Sequence, residues 1–365
     1  MEKRTKILYT IPNFDTAGSG KVVYDLVKHI DKTKFEPHIA CGHTRGDFFK
    51  QVEQLNVPIH VFNVAVPYKP YWNLPVRLYK TVRFFKSHYF DIIHSWHWSS
   101  DFTEPLAAKL AGIPFVYTKK AMGWGNKAWR WRSQLSTHII TINQDMREQF
   151  FNNMSNKTSY IPIGVDTGKF KLADKNYTAL IGTHLKEEKF VIVTVANLVP
   201  IKGIEVLLEA MGKLENPDIV AYIIGDYTSD YGRDLKQQYE TDQVIFTGKK
   251  RDVRTYLQIA DLFVICTPEI GEGQPIAPIE AMLSGRLVIG SNISGIKDVL
   301  STWPQTLVKP NDIVALGHKI KEVIEWGEEK RMQLANEQRQ EAQQRYALSK
   351  SIMSHMDLYA NMAKS

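Results

Sequence analysis

The sequence predicts an α/β chain of two domains, each built on a parallel sheet covered by helices. Three observations carry this. The 365 residues exceed what one hydrophobic core usually supports. Short apolar runs alternate with stretches of helical periodicity through both halves. The strand–turn–helix pattern that opens the chain starts again near residue 189. An apolar share of 44% and a charged share of 23% are those of a folded globular chain rather than a disordered or fibrous one.

In order, KILYTIPNF reads as a strand, DTAGSG as a glycine loop, and KVVYDLVKHI as a helix whose Val22, Val23, Leu26, Val27 and Ile30 recur at helical spacing. PHIACG and IHVFNV are two more strands, followed by a helix over about 75–87 and the strand FDIIHSW. PLAAKLAG, IPFVYTK and HIITIN continue as helix, strand and strand. The second cycle runs through KFVIVTVANL as a strand, VPIKG as a turn and IEVLLEAMGKL as a helix. IVAYIIGD, QVIFTGK, LFVICTP, RLVIGSN and TLVKP then read as short strands bounded by Gly, Pro, Asp or Asn. From Ile313 onward the pattern is helical, with EEKRMQLANEQRQEAQQRY as a solvated segment. The polar stretch 168–188 separates the two cycles. The expected domains are 1–168 and 169–346, with a C-terminal helix at about 347–365 packing back on the first.

No uninterrupted apolar run reaches the roughly 18 residues of a membrane span, and MEKRTKILYTIPNF turns polar before a signal-peptide core develops. A cytoplasmic location is expected. Cys41 and Cys266 each lie in an apolar, strand-like run, which fits a reducing compartment and no disulfide. The net charge of +7 is unevenly spread. Residues 1–170 carry 23 Lys/Arg against 13 Asp/Glu, and residues 171–365 carry 23 against 26. A basic half can face nucleic acid, an anionic bilayer or an acidic substrate, but no nucleic-acid motif accompanies it. Two basic stretches are also aromatic, YKPYWNLPVRLYKTVRFFKSH and GWGNKAWRWRSQL. They place Arg77, Lys80, Arg83, Lys86, Lys127, Arg130 and Arg132 beside Trp72, Trp129 and Trp131. Such a face suits peripheral contact with an anionic membrane, and it equally suits amphipathic helices that bury their aromatics.

GEGQPIAPIEAMLSG is the most informative segment, with Glu272 and Glu280 eight positions apart. Glu272 lies in a glycine-flanked loop after a strand, where open α/β sheets bind ligands. A helix starting near Pro275 offers unpaired N–H groups and a positive dipole end to phosphate and sugar oxygens. Glu272 can then accept bonds from sugar hydroxyls and Glu280 from ribose hydroxyls. Spacing alone fits two surface acids equally well.

This segment resembles the E-x7-E signature of the retaining glycosyltransferase family 4, whose GT-B fold has two Rossmann-like domains with parallel sheets facing a central cleft. VANLVPIKGIEVLLEA resembles the family's stretch that binds the donor diphosphate. YIIGD, VIFTGK and ADLFVICTP match its successive strands, and IPIGVDTGKF its interdomain segment. The resemblance covers most of residues 5–362, more strongly after about Ile161. It implies transfer of a sugar from a nucleotide diphosphate sugar, a UDP-sugar or alternatively a GDP-sugar, to a glycan or lipid-linked acceptor in cell-surface polysaccharide or glycolipid synthesis. It also implies an N-terminal acceptor-binding domain and a C-terminal donor-binding domain.

Lys202, at the turn before a helix, would neutralise the departing diphosphate, which is the main catalytic demand. Where the family usually has an arginine this chain has Asn197, so Lys249, Lys250 or Arg251 would supply a second cation. Donor contacts are expected from Asn197, Lys202, Lys250, Glu272, Gly273, Gln274, Pro275, Ile276 and Glu280, and from Gly18 and Gly20 of AGSGK. That loop is not a Walker loop, because Asp15 and Val22 stand where glycine and Ser/Thr are required. The family's histidine after the fourth strand falls on Trp96, flanked by His94 and His97. Lys120 stands where another histidine often follows the next strand. Lys202, Glu272 and His97 are taken as the catalytic candidates, and His94, Lys119 and Lys120 as acceptor contacts. No Asp-x-Asp pair or His/Cys cluster offers divalent-ligand spacing, so no metal and no cofactor are expected. The other readings are a nucleotide-sugar epimerase or phosphorylase of similar fold, and an inactive sugar- or membrane-binding homologue. Nothing in the sequence fixes the oligomeric state.

Overall fold

The structure, a computed structural model, describes residues 3–15, 17–97, 100–172, 189–268 and 272–364. Most of the polar stretch expected to separate the domains, 173–188, lies outside the described residues. So does Gly271 of the GEGQP loop. The chain forms two compact units, one of residues 1–164 with 349–365 and one of residues 165–348.

Unit 1 runs β1 (Thr5–Ile11), α1 (Ala17–His29), β2 (Phe35–Cys41), α2 (Phe49–Glu53), β3 (Ile59–Val61), α3 (Leu74–Ser87), β4 (Ile92–Ser95), α4 (Thr103–Ala111), β5 (Phe115–Lys119), α5 (Trp129–Leu135), β6 (His138–Thr141), α6 (Gln144–Phe151) and β7 (Thr158–Tyr160). Its sheet has the order β3-β2-β1-β4-β5-β6-β7, with every pair parallel. Unit 2 runs β8 (Phe190–Val195), α7 (Ile204–Leu214), β9 (Ile219–Ile224), α8 (Asp230–Tyr239), β10 (Val244–Phe246), α9 (Arg254–Ile259), β11 (Leu262–Ile265), α10 (Ile276–Leu283), β12 (Leu287–Ser291), α11 (Ile296–Val299), β13 (Leu307–Val308), α12 (Ile313–Glu325) and α13 (Gly327–Arg345). Its sheet order is β10-β9-β8-β11-β12-β13, also parallel.

The sheets are buried on both faces, which is why their strands read as unbroken apolar runs rather than alternating ones. In unit 2, Val191 and Val193 of β8 pack into one core cluster while Ile192 between them packs into the other. Phe263 and Val288 divide from their strand neighbours in the same way. Helix α7 covers one face with Ile204, Leu207, Leu208 and Met211, spaced i, i+3, i+4, i+7. It stops at Glu215, whose φ of +47° cannot continue a right-handed helix.

The last helix, α14 (Leu348–Lys364), belongs to unit 1 from Ser349 on. Tyr359 of α14 is fully buried, and its hydroxyl lies 2.6 Å from Nδ1 of His94 on β4. His355 packs its ring on His94 and bonds through Nδ1 to its own helix at Ser351 O, 2.7 Å away. Burial holds both imidazoles below their ordinary pKa, His94 well below and His355 at about 4. The other charged neighbours acting on His94 are His138 and Lys120. The unfolded chain therefore takes up these protons first, so this part of the stability is complete above pH ~6.5 and is lost as pH falls toward ~4. Replacing His355 with Gln keeps a side-chain donor but removes one titration. The unfolding free energy of His355→Gln, measured by urea titration, is expected to fall less steeply between those pH values than that of the parent, by on the order of 3 kcal/mol over the window. Parallel pH profiles would remove His355 from this account.

No helix among the described residues is long and apolar enough to cross a membrane. Cys41 and Cys266 are both buried and free.

Candidate active site

In unit 2 the neighbouring strands β8 and β11 send their chains to opposite sides of the sheet, β8 toward β9 and β11 toward β12. Their carboxyl ends thus bound the crevice where an open parallel sheet receives a ligand. The loop after β8 carries Asn197 and the short 3-10 turn Pro200–Lys202. That turn closes at Gly203, with φ +58°. A Cβ there would stand 2.7 Å from the carbonyl oxygen of Cys266, so only glycine lets this loop approach the loop after β11. The Cys266 thiol donates across the same contact to Gly203 O, 3.1 Å away.

This clamp brings Lys202 to Glu272, with Nζ 2.5 Å from Oε1. The Thr267 hydroxyl donates to the same carboxylate oxygen at 2.9 Å. From the other side, the Glu272 amide donates to Ser294 O at 2.9 Å. Gly295, with φ +82°, sits so close that a Cβ would lie 2.7 Å from the carbonyl oxygens of both Glu272 and Gly273. Helix α10 then begins after Pro275, whose side chain makes no cap bond. Pro275, Ile276 and Ala277 line the pocket together with Asn197, Lys202, Lys249, Lys250 and Glu272. Three lysines and a helix amino end therefore line the cavity, together with Glu272 and Asp226. Gly273, Gln274 and Glu280 are not among the lining residues. Glu280 sits half-buried, further along α10.

Unit 1 repeats the arrangement, with β1 and β4 as the neighbours that diverge. Lys120, just past β5, joins the start of α1 to the loop after β4, the two segments that bound the crevice. Its Nζ donates to the Ser19 hydroxyl at 2.9 Å and to the backbone oxygen of Trp96. Burial brings its pKa down to about 7. Burial also lowers His97 to about 4, so its imidazole is neutral at pH 7, and its shielded Nε2 has no partner among the described residues. Beneath these groups Glu104 and Arg132, both wholly buried, pair at 3.1 Å. Glu104 also accepts from the hydroxyls of Thr10 and Ser95, and Arg132 donates to Ser95 Oγ and Asp101 O, each at 2.8 Å.

Several expected contacts are placed elsewhere. His94 is enclosed, with Nδ1 on Tyr359 and Nε2 on the Thr118 hydroxyl at 2.8 Å, so it holds α14 instead of presenting a nitrogen to an acceptor. Lys119 is turned inward, donating to Ala121 O and Gly123 O and lying 3.8 Å over the Trp124 ring, where it shapes its own loop. Gly20 is buried against Phe14, so its missing Cβ serves packing, whereas Gly18 is exposed in a non-helical conformation at the start of α1. Trp96 is buried against His94 and His355. Thr267, Gly203, Ser294 and Gly295 were missed as positioning residues, although the glycines of VPIKG and SNISG are a visible turn signal. The Glu104–Arg132 pair left no signal, because 28 residues separate its members.

Two parallel-sheet units, each with a crevice where its strand order reverses, define an α/β protein of two Rossmann-like domains. Residues 16–169 match the family model described as Glycosyltransferase Family 4, and residues 180–341 that described as Glycosyl transferases group 1. The chain belongs to glycosyltransferase family 4 and has the GT-B fold. It is 30% identical to the UDP-Gal:alpha-D-GlcNAc-diphosphoundecaprenol alpha-1,3-galactosyltransferase of Escherichia coli, a match spanning 65% of this chain and 66% of that relative. Among solved structures, a glycosyltransferase of Rickettsia africae ESF-5 superposes over the whole of both chains with a TM-score of 0.87 at 17% identity. HepE of Anabaena, solved with UDP-glucose, superposes over 98% of this chain and 100% of its own with a TM-score of 0.81 at 21% identity.

Proposed function

We propose that the chain moves a sugar from a nucleotide diphosphate sugar held by unit 2 to a glycan or lipid-linked acceptor held by unit 1. Configuration at the anomeric carbon is retained, and no divalent metal takes part. The observation that carries the reading is the convergence of Lys202, Glu272 and the start of α10 at the strand-order reversal of unit 2. When the bond between the anomeric carbon and the diphosphate breaks, negative charge collects on the leaving phosphate. A fixed ammonium and a helix amino end are placed for that charge. Lys249 and Lys250 line the same cavity and supply cations that Asn197 does not. Glu272, positioned by Thr267 and Ser294, accepts from hydroxyls of the transferred sugar.

A UDP-sugar is the favoured donor, supported by the UDP-glucose bound to HepE and the UDP-galactose named for the Escherichia coli relative. The diphosphoundecaprenol acceptor in that relative's name supports a lipid-linked acceptor here, reached peripherally from the cytoplasmic face of a membrane. On unit 1, Lys120 and the neutral His97 are the groups at the carboxyl edge that would meet the acceptor.

The test is transfer from UDP-sugars to a lipid-diphosphate sugar in excess chelator, with the product's anomeric configuration read by NMR. The expected product keeps the donor's configuration at an unchanged rate. An inverted product, or loss of transfer that manganese restores, would overturn the mechanism.

A further inference from the structure

Helix α3 is amphipathic in an unusual way. Leu78, Thr81 and Phe85 face inward. The outward line through the preceding turn and the helix reads Trp72, Val76, Tyr79, Lys80, Arg83, Lys86, all exposed. Trp72 is 82% exposed, and Val76 and Tyr79 are each 64% exposed. Leaving such side chains in water forgoes the stabilisation that burying large apolar groups gives, and a cluster of them marks a contact surface.

Ring contacts continue sideways from this line, through half-buried Tyr68 and buried Phe102. The Tyr71 ring meets Tyr68 at 6.1 Å, Tyr68 meets Phe102 at 5.5 Å, and Phe102 meets Trp131 of α5 edge-on at 5.1 Å. Trp131 is itself 56% exposed. The charge in the two stretches that carry Trp72, Val76, Tyr79 and Trp131 has one sign. Between Glu53 and Asp91 the sequence has no acidic residue, and between Glu104 and Asp145 it again has none. Lys69, Lys80, Arg83, Lys86, Lys127 and Arg130 are exposed in those two stretches.

We infer that this face of unit 1 docks on an anionic lipid bilayer, with Trp72, Val76, Tyr79 and Trp131 entering the headgroup region and the lysines and arginines meeting lipid phosphates. Aromatic rings ringed by cations match that interface in both polarity and charge. The orientation follows from topology. Helices α3 and α5 each follow a strand of the parallel sheet, so their amino ends, where these rings cluster, lie at the sheet's carboxyl edge. Ser19, His97 and Lys120 stand at the same edge. The inference rests on the reading that the acceptor is lipid-linked, because docking this edge brings a membrane-borne headgroup to those residues.

The test is flotation of the full chain with phosphatidylcholine vesicles, with and without phosphatidylglycerol, at low and high salt. Binding is expected only with phosphatidylglycerol and is expected to weaken with salt. Either Trp72→Ser/Tyr79→Ser or Lys80→Ala/Arg83→Ala lowers it roughly tenfold. Transfer to a water-soluble short-chain acceptor stays at the parent level in these variants, because none of the four residues belongs to the site. Equal binding to neutral vesicles, or parent-like binding by both variants, would overturn the docking surface while leaving the proposed activity intact. Self-association of the chain that Trp72→Ser/Tyr79→Ser abolishes would assign the face to a second copy and also overturn it. Vesicle binding as described, without sugar transfer to any acceptor, would instead overturn the proposed activity.

Discussion

Lys202→Ala is expected to lower kcat by about 10²- to 10³-fold, the usual effect of removing one preorganised group that stabilises a developing anion. The size follows from the position of this ammonium. Lys202 stands at the carboxyl edge of β8, held there by the Gly203–Cys266 contact, and its partner Glu272 is fixed from two other sides. Alanine removes the cation and also leaves the Glu272 carboxylate facing the phosphates without its counter-charge, so donor affinity falls together with kcat. Arginine at the same position keeps the charge and should recover part of the rate. Steady-state kinetics with varied donor separate the two effects. A kcat within a few-fold of the parent would show that another group carries the leaving-group charge.

Glu104→Ala is expected to destabilise the chain by about 3–5 kcal/mol, the cost of leaving a buried charge without its partner. Arg132 has no exposed surface, and its guanidinium would be left with the Ser95 hydroxyl and the Asp101 carbonyl. Replacing both members, as in Glu104→Leu/Arg132→Met, removes both charges and should cost less than the single change. Urea unfolding of the two variants beside the parent measures the difference. A loss below about 1 kcal/mol for Glu104→Ala would mean that water reaches Arg132. The pair also ties the ends of β1 and β4 to α4 and α5, so the single variant should disturb the loop that carries His97.

Local signals carried much of the architecture in the sequence. A parallel sheet buried on both faces needs continuous apolar strands, and KFVIVTVANL, LFVICTP and RLVIGSN announce β8, β11 and β12 directly. Helix α7 was equally legible, because its apolar residues keep a 3.6-residue period. The short elements α2 and β7 were not, since their formation depends on partners distant in sequence. Of the site, Lys202, Glu272 and the start of α10 could be read because glycine and proline mark the loops that carry them. What the sequence concealed was the direction in which a side chain points. His94 and Lys119 are titratable residues in strands that lead to the site, yet the pleat and the packing of α14 turn one into the core, and backbone carbonyls hold the other. Glu104 and Arg132 meet only because α4 and α5 pack side by side.

The most direct test of the central claim is a crystal structure of the chain with bound UDP. The account predicts the diphosphate at the carboxyl ends of β8 and β11, within hydrogen-bonding distance of Lys202 Nζ and the first amides of α10. Nucleotide bound elsewhere, with the ion pair between Lys202 and Glu272 undisturbed, would contradict it.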